Sequence, residues 1–88
     1  MVYNVYVINN QSSGKIYIGQ TANISERLKR HNGLLPNKKS SYTNKNKGVW
    51  RLVHLETYPD RKTAMFREKQ LKSYQGRKFI KRLMDTGV

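Results

Sequence analysis

Two short runs rich in β-branched and aromatic residues, VYNVYVI (residues 2–8) and KIYIG (residues 15–19), stand either side of a polar NNQSSG stretch. Side chains of that kind suit a pleated, half-buried surface, and Asn, Ser and Gly suit a tight reversal of the chain. The pattern predicts an N-terminal β-hairpin. With 88 residues in all, the hairpin belongs to one domain, residues 1–88, with no room for a second core.

Beyond the hairpin the period changes. Thr21 or Asn23 caps a helix over ISERLKRH (residues 24–31), with Ile24 and Leu28 on its inner face and Asn32-Gly33 ending it. A long basic loop, LLPNKKSSYTNKNKG (residues 34–48), follows; loops of that length in small domains are commonly functional or disordered. VWRLVHLET (residues 49–57) alternates as a third strand. Trp50, Leu52 and His54 lie on one face, Val49, Arg51, Val53 and Leu55 on the other, and the alternation leaves the inward face open. Asp60 caps a helix over residues 61–74, with Ala64 and Leu71 buried and Met65 and Phe66 as further core candidates. Gly76 breaks the pattern, and a last helix over residues 77–86 buries Phe79, Ile80 and Leu83. The order is β-β-α-β-α-α, an α+β arrangement.

Charge narrows the partners. Eighteen Lys and Arg against five acids give a formal charge of +13. Self-repulsion of that size is better tolerated beside a polyanion, and nucleic acid is the first candidate because neutralised phosphates release counterions. An anionic membrane surface and a merely solvated basic exterior are the competing readings. The absence of cysteine excludes disulfides and thiolate metal sites. The N-terminus lacks the basic and apolar regions of a signal peptide, and no apolar run nears the ~20 residues of a membrane span. A cytoplasmic protein without membrane attachment is expected.

Scarce acids are the place to look for metal chemistry, since a hard divalent cation beside a phosphate needs at least one carboxylate. Asp60 reads as a cap, Glu26 as the partner of Arg30, Asp85 as part of a frayed end and Glu56 as the end of a strand. Glu68, mid-helix in FREKQ, stays equally open as ligand or solvated charge. Arg27 and His31 share a helix face at i and i+4, where a guanidinium can clamp a phosphate and an imidazole can relay a proton. Taken alone, the pair reads first as an ordinary polar helix face exposed to water. Tyr6 and Tyr17 fall on adjacent hairpin strands; their hydroxyls converge if they share a face, though strand tyrosines are commonly packing residues.

Taken in order, VYVI, KIYIGQT, NISERLKRHN and FREKQLKSY resemble the GIY-YIG nuclease superfamily, and its small single-domain bacterial branch most closely. The second triplet is intact as Tyr17-Ile18-Gly19. The first is Asn4-Val5-Tyr6, which keeps the tyrosine and replaces the glycine. The resemblance implies a three-stranded antiparallel sheet flanked by helices. It also implies a DNA endonuclease site of Tyr6, Tyr17, Arg27, His31 and Glu68, with Glu68 binding Mg²⁺ or Mn²⁺. On that reading Arg27 holds a phosphate oxygen and a tyrosinate deprotonates water. Tyr6 is preferred as that base with Tyr17 orienting, and the reverse is credible; His31 relays the proton or positions a tyrosine. Small relatives carry a Tyr-Thr pair resembling Tyr42-Thr43. Lys38, Lys39, Lys45, Lys47, Lys69 and Lys72 are candidate phosphate contacts, and Tyr42 and Trp50 candidate stacking residues. The expected protein is a monomer acting on single-stranded, branched or duplex DNA, with RNA also possible, and with structure rather than sequence selectivity, as in DNA repair. A non-catalytic nucleic-acid-binding module of the same fold is the alternative.

Overall fold

The computed structural model describes residues 2–33 and 48–86. It follows the expected order: β1 (Tyr3–Asn10), β2 (Ile16–Thr21), α1 (Ile24–His31), β3 (Trp50–Tyr58), α2 (Arg61–Lys72) and α3 (Tyr74–Thr86). The strands form one antiparallel sheet in the order β2-β1-β3, with the hairpin strand β2 at an edge. Asn4, standing where the first triplet has its glycine, is an ordinary β1 residue whose side-chain oxygen accepts from the Thr57 hydroxyl at 3.0 Å.

Both faces of the sheet are covered, because β1 is apolar at consecutive positions. Val5 and Val7, with Ile18 of β2, pack against Ala64 and Leu71 of α2 and Ile80 of α3. Tyr6 and Ile8, with Trp50 of β3, pack with Ile24 and Leu28 of α1. A strand buried on both faces reads as a continuous apolar run, which is how the start of the chain reads.

The third strand serves both faces through a bulge. Val7 lies opposite His54, but Ile8 lies opposite Leu52, so Val53 is an extra residue in β3. Trp50 and Leu52 therefore join the α1 side, while His54, Glu56 and Tyr58 join the α2–α3 side. Trp50 is 1% exposed, a core residue with no face to offer a nucleobase.

Glu56 anchors a polar network on the α2–α3 side. It accepts from Arg67 Nε at 2.8 Å and Nη2 at 3.0 Å, lies 2.7 Å from His54 Nε2, and also accepts from the Tyr58 hydroxyl. A two-point Arg–carboxylate pair in a half-buried setting fixes geometry as well as adding energy. It ties β3 to α2.

The caps are as expected. Asn23 accepts from the backbone N–H of Glu26 at 3.1 Å, and Asp60 from that of Thr63 at 2.7 Å. Asn32 closes α1, with Gly33 beyond it at φ 77°. The Asn32 side chain also donates to the Trp50 carbonyl at 3.1 Å and accepts from the Trp50 N–H at 2.7 Å, behaving like one residue of a neighbouring strand.

Two helix expectations need correction. Met65 and Phe66 are not core: they are 51% and 65% exposed, because Ala64 and Leu71 are seven residues apart on one stripe and the intervening pair points elsewhere. Gly76 is not a break. The chain interrupts earlier, at Ser73, and Gly76 lies inside the first turn of α3. A Cβ there would lie 2.3 Å from the Gln70 carbonyl oxygen and 2.4 Å from Leu71 Cα, so the glycine permits close contact with the end of α2.

Candidate active site

Register places the first two site residues. Tyr6 lies opposite Gly19 and Tyr17 opposite Ile8, so both phenols stand on the α1 face. Their ring centroids are 6.2 Å apart. Gly19 is what allows this: a Cβ on it would lie 2.6 Å from the Tyr6 hydroxyl oxygen and 3.0 Å from the Tyr17 ring. The glycine of the YIG triplet thus clears space for the Tyr6 ring.

The first helix then brings its own pair over the phenols. His31, 8% exposed, has its Nε2 2.8 Å from the Tyr6 hydroxyl, and its ring lies 4.9 Å from that of Tyr17. Arg27, one turn earlier on the same face, interacts with both phenol oxygens. Burial pushes the Tyr6 phenol up to about 12, opposed by the hydrogen bond from Arg27 and reinforced by the nearby Tyr17 and Glu68. Burial, and then the positive charge of Arg27, pushes the His31 imidazole down to about 4. Near neutral pH both groups are therefore uncharged, and a neutral phenol and a neutral imidazole share the hydrogen bond. The Arg27 guanidinium is held even more firmly protonated, first by its hydrogen bond to Tyr6.

Glu68 arrives from α2, around the edge of the sheet. It lines an open cleft of about 410 Å³ with Tyr17, Gly19, Thr21, Arg27 and Arg61. Its Oε2 accepts from Lys72 Nζ at 2.8 Å. All five predicted residues thus meet at one place: Tyr17, Arg27 and Glu68 face the cleft, and Tyr6 and His31 form the buried layer behind Tyr17 and Arg27. Lys72 stands beside the site through Glu68, and Lys69 is exposed on α2. Lys38, Lys39, Tyr42, Thr43, Lys45 and Lys47 lie outside the described residues. Arg61 was not singled out from sequence. Its signal is spacing, since it precedes Glu68 by seven residues on one helical face.

The buried histidine predicts acid lability. An unfolded chain binds a proton at a histidine below about pH 6.5, whereas the folded one resists until about pH 4. Stability is therefore complete above that upper value and declines as pH falls towards about 4, by on the order of 3 kcal/mol. Glu56 acts in a lower window. Burial would raise its carboxyl, but the hydrogen bonds from Arg67, His54 and Tyr58 prevail and hold it at about 2. Its contribution is complete above its ordinary value of 4.5 and is lost as pH falls towards about 2. Urea unfolding across pH 3–8 should show two stages, and His31→Gln should remove the upper one. Survival of the upper stage in that variant would assign it to other groups.

Comparison with known proteins agrees with this geometry. The fold resembles that of the UPF0213 protein BH0048 from Bacillus halodurans, solved by solution NMR, with a TM-score of 0.54 and 26% identity over 94% of this chain and 85% of that one. No curated protein matches the sequence. A family profile describing the GIY-YIG catalytic domain matches residues 2–81. The ordered motifs, the sheet that unites them and a profile match spanning most of the sequence lead to one conclusion: the chain belongs to the GIY-YIG family of nuclease-type catalytic domains.

Proposed function

We propose that the protein is a metal-dependent endonuclease that hydrolyses DNA phosphodiester bonds and selects structure or single strands rather than sequence. The observation that carries this reading is the meeting of Arg27 from α1, Tyr17 from β2 and Glu68 from α2 in one open cleft.

The donor set fits a hard divalent cation. Glu68 supplies a carboxylate, and Gln20 and Thr21 also line the cleft. Among the described residues no group of three or more His, Cys, Asp or Glu forms a protein-only cage. That suits Mg²⁺ or Mn²⁺, which keep much of their shell for water and phosphate oxygens. Glu68 would hold such a cation, which would supply charge neutralisation on the phosphate and the departing oxygen.

The remaining work falls to the side chains. Arg27 clamps a non-bridging phosphate oxygen and stabilises the charge that develops on it. Tyr17 accepts the proton of the attacking water. It opens into the cleft, and the Arg27 guanidinium beside it provides the countercharge for a phenolate. Tyr6, which sequence alone favoured as the base, is 0% exposed and bonded to His31. Its burial suits a positioning role, in which Tyr6 and His31 hold Arg27 and Tyr17 in register.

Tyr17→Phe should lower kcat by about 10²- to 10³-fold with substrate binding retained, within the usual range for a lost general base. Tyr6→Phe should cost about tenfold, in keeping with the loss of a supporting hydrogen bond. Single-turnover rates of the two variants decide between them, and a larger loss in Tyr6→Phe reverses the roles. The function itself is tested by cleavage of single-stranded, duplex and flapped DNA and of RNA with Mg²⁺ or Mn²⁺. Salt-dependent binding without cleavage under any divalent cation would instead leave a non-catalytic nucleic-acid-binding module.

A further inference from the structure

The catalytic cleft adjoins a second, larger cavity that the mechanism leaves unused. It has a volume of about 560 Å³ and runs along the β2 edge. Ile16 and Ile18, on the α2–α3 face of β2, form its floor, with Tyr17 between them along the strand, and three cations stand around it: Lys15 from the hairpin turn, Lys72 from α2 and Arg77 from α3. Tyr17 borders both cavities. Glu68 lines one and Lys72 the other, and the two are joined at 2.8 Å, so the spaces are neighbours. Among the described residues β2 pairs with β1 on one side only, so the cavity lies along a sheet edge.

An apolar floor under three cations suits a ligand with a flat apolar body and an anionic group. An inorganic anion would make no use of the isoleucines, and a purely apolar ligand would make no use of the cations. The geometry points to a subsite for the nucleotide adjacent to the scissile phosphate in an unpaired strand. Its base lies on Ile16 and Ile18, and its phosphate meets Lys15, Lys72 and Arg77. The strand is unpaired because a base held in a duplex stack cannot present its face to a protein floor. The subsite rests on the nuclease reading above and specifies its substrate.

The test uses the full chain with divalent cations chelated, so that binding is read without cleavage. Fluorescence anisotropy compares wild type with the Lys15→Ala/Arg77→Ala double variant, its fold checked by circular dichroism. The ligands are a labelled 12-nucleotide single strand, a blunt duplex and a single strand of abasic residues. The double variant should bind the single strand at least tenfold more weakly, with a salt-dependence slope lower by about 1, and the duplex within threefold of wild type. Wild type should bind the abasic strand at least fivefold more weakly than the normal one. Equal losses on strand and duplex, or equal affinity for abasic and normal strands, overturn the subsite. A double variant with wild-type affinity overturns the subsite alone; a wild-type protein that binds no nucleic acid overturns the nuclease reading with it.

Discussion

Replacing Glu68 by alanine is expected to lower divalent-cation-dependent cleavage by about 10³-fold, the scale on which groups that serve the transition state act. Glu68 is the carboxylate that lines the cleft, and Arg27 and Arg61 line it too, with Lys72 bonded to Glu68 itself. Without the carboxylate, the cleft becomes wholly cationic and repels a divalent ion. The same change favours a polyanion, so DNA binding should be kept or strengthened while turnover collapses. Stability should barely move, because the bond lost is an i,i+4 pair on a helix surface, worth about 0.2–0.5 kcal/mol. Rates over an Mg²⁺ and Mn²⁺ titration, set beside binding and a thermal melt, separate these effects. Cleavage by the variant at the wild-type rate would remove Glu68 from the metal role.

Gly76→Ala should be the most damaging single-methyl change to stability. The added Cβ would meet the Gln70 oxygen at 2.3 Å, Leu71 Cα at 2.4 Å and the Leu71 oxygen at 2.5 Å. All three belong to backbone and none can rotate away. In an ordinary helix interior this substitution stabilises by up to about 1 kcal/mol; here α3 must lift off the end of α2, disturbing Leu71 and Ile80 in the core. Overpacking of this kind costs about 3 kcal/mol, which in a domain of this size lowers the melting temperature by on the order of 15 °C. An unchanged or raised melting temperature would show that the two helices do not meet as closely as described.

Local chemistry was legible in the sequence wherever it is decided by near neighbours. Asn23 and Asp60 cap because short side chains reach their own helix N-termini, and Glu26 pairs with Arg30 because four residues make a helical turn. The tyrosines, arginine, histidine and glutamate singled out by their order in the chain are brought together by the fold, a proximity the sequence order suggested only through the family resemblance. What escaped depends on contacts between elements. The faces of β3 could not be read because the bulge at Val53 shifts its phase halfway along without disturbing the alternation. Met65 and Phe66 carried apolar side chains on a helix that buries a different stripe. Gly76 read as a breaker because its neighbour in space, α2, is invisible to local propensity. The division of labour proposed for Tyr6 and Tyr17 turns on burial, which a hairpin pattern alone does not set. Glu56 looked like a strand end; His54 and Tyr58 flank it on the same strand, but its Arg67 partner emerges only when β3 and α2 meet.

The two bonds between the Asn32 side chain and the Trp50 backbone act as a clasp. They join the exit of α1 to the entry of β3, so the chain between these points is a ring closed at its neck. Doubling the length of such a ring adds only about 0.6 kcal/mol to the entropy of closing it. Relatives can therefore lengthen, shorten or recharge that stretch at little thermodynamic penalty, provided the clasp is kept. Lys38, Lys39, Tyr42, Thr43, Lys45 and Lys47 all lie within it. Under the proposed nuclease reading, contacts to substrate carried by that stretch would be free to diverge while the cleft stays as it is.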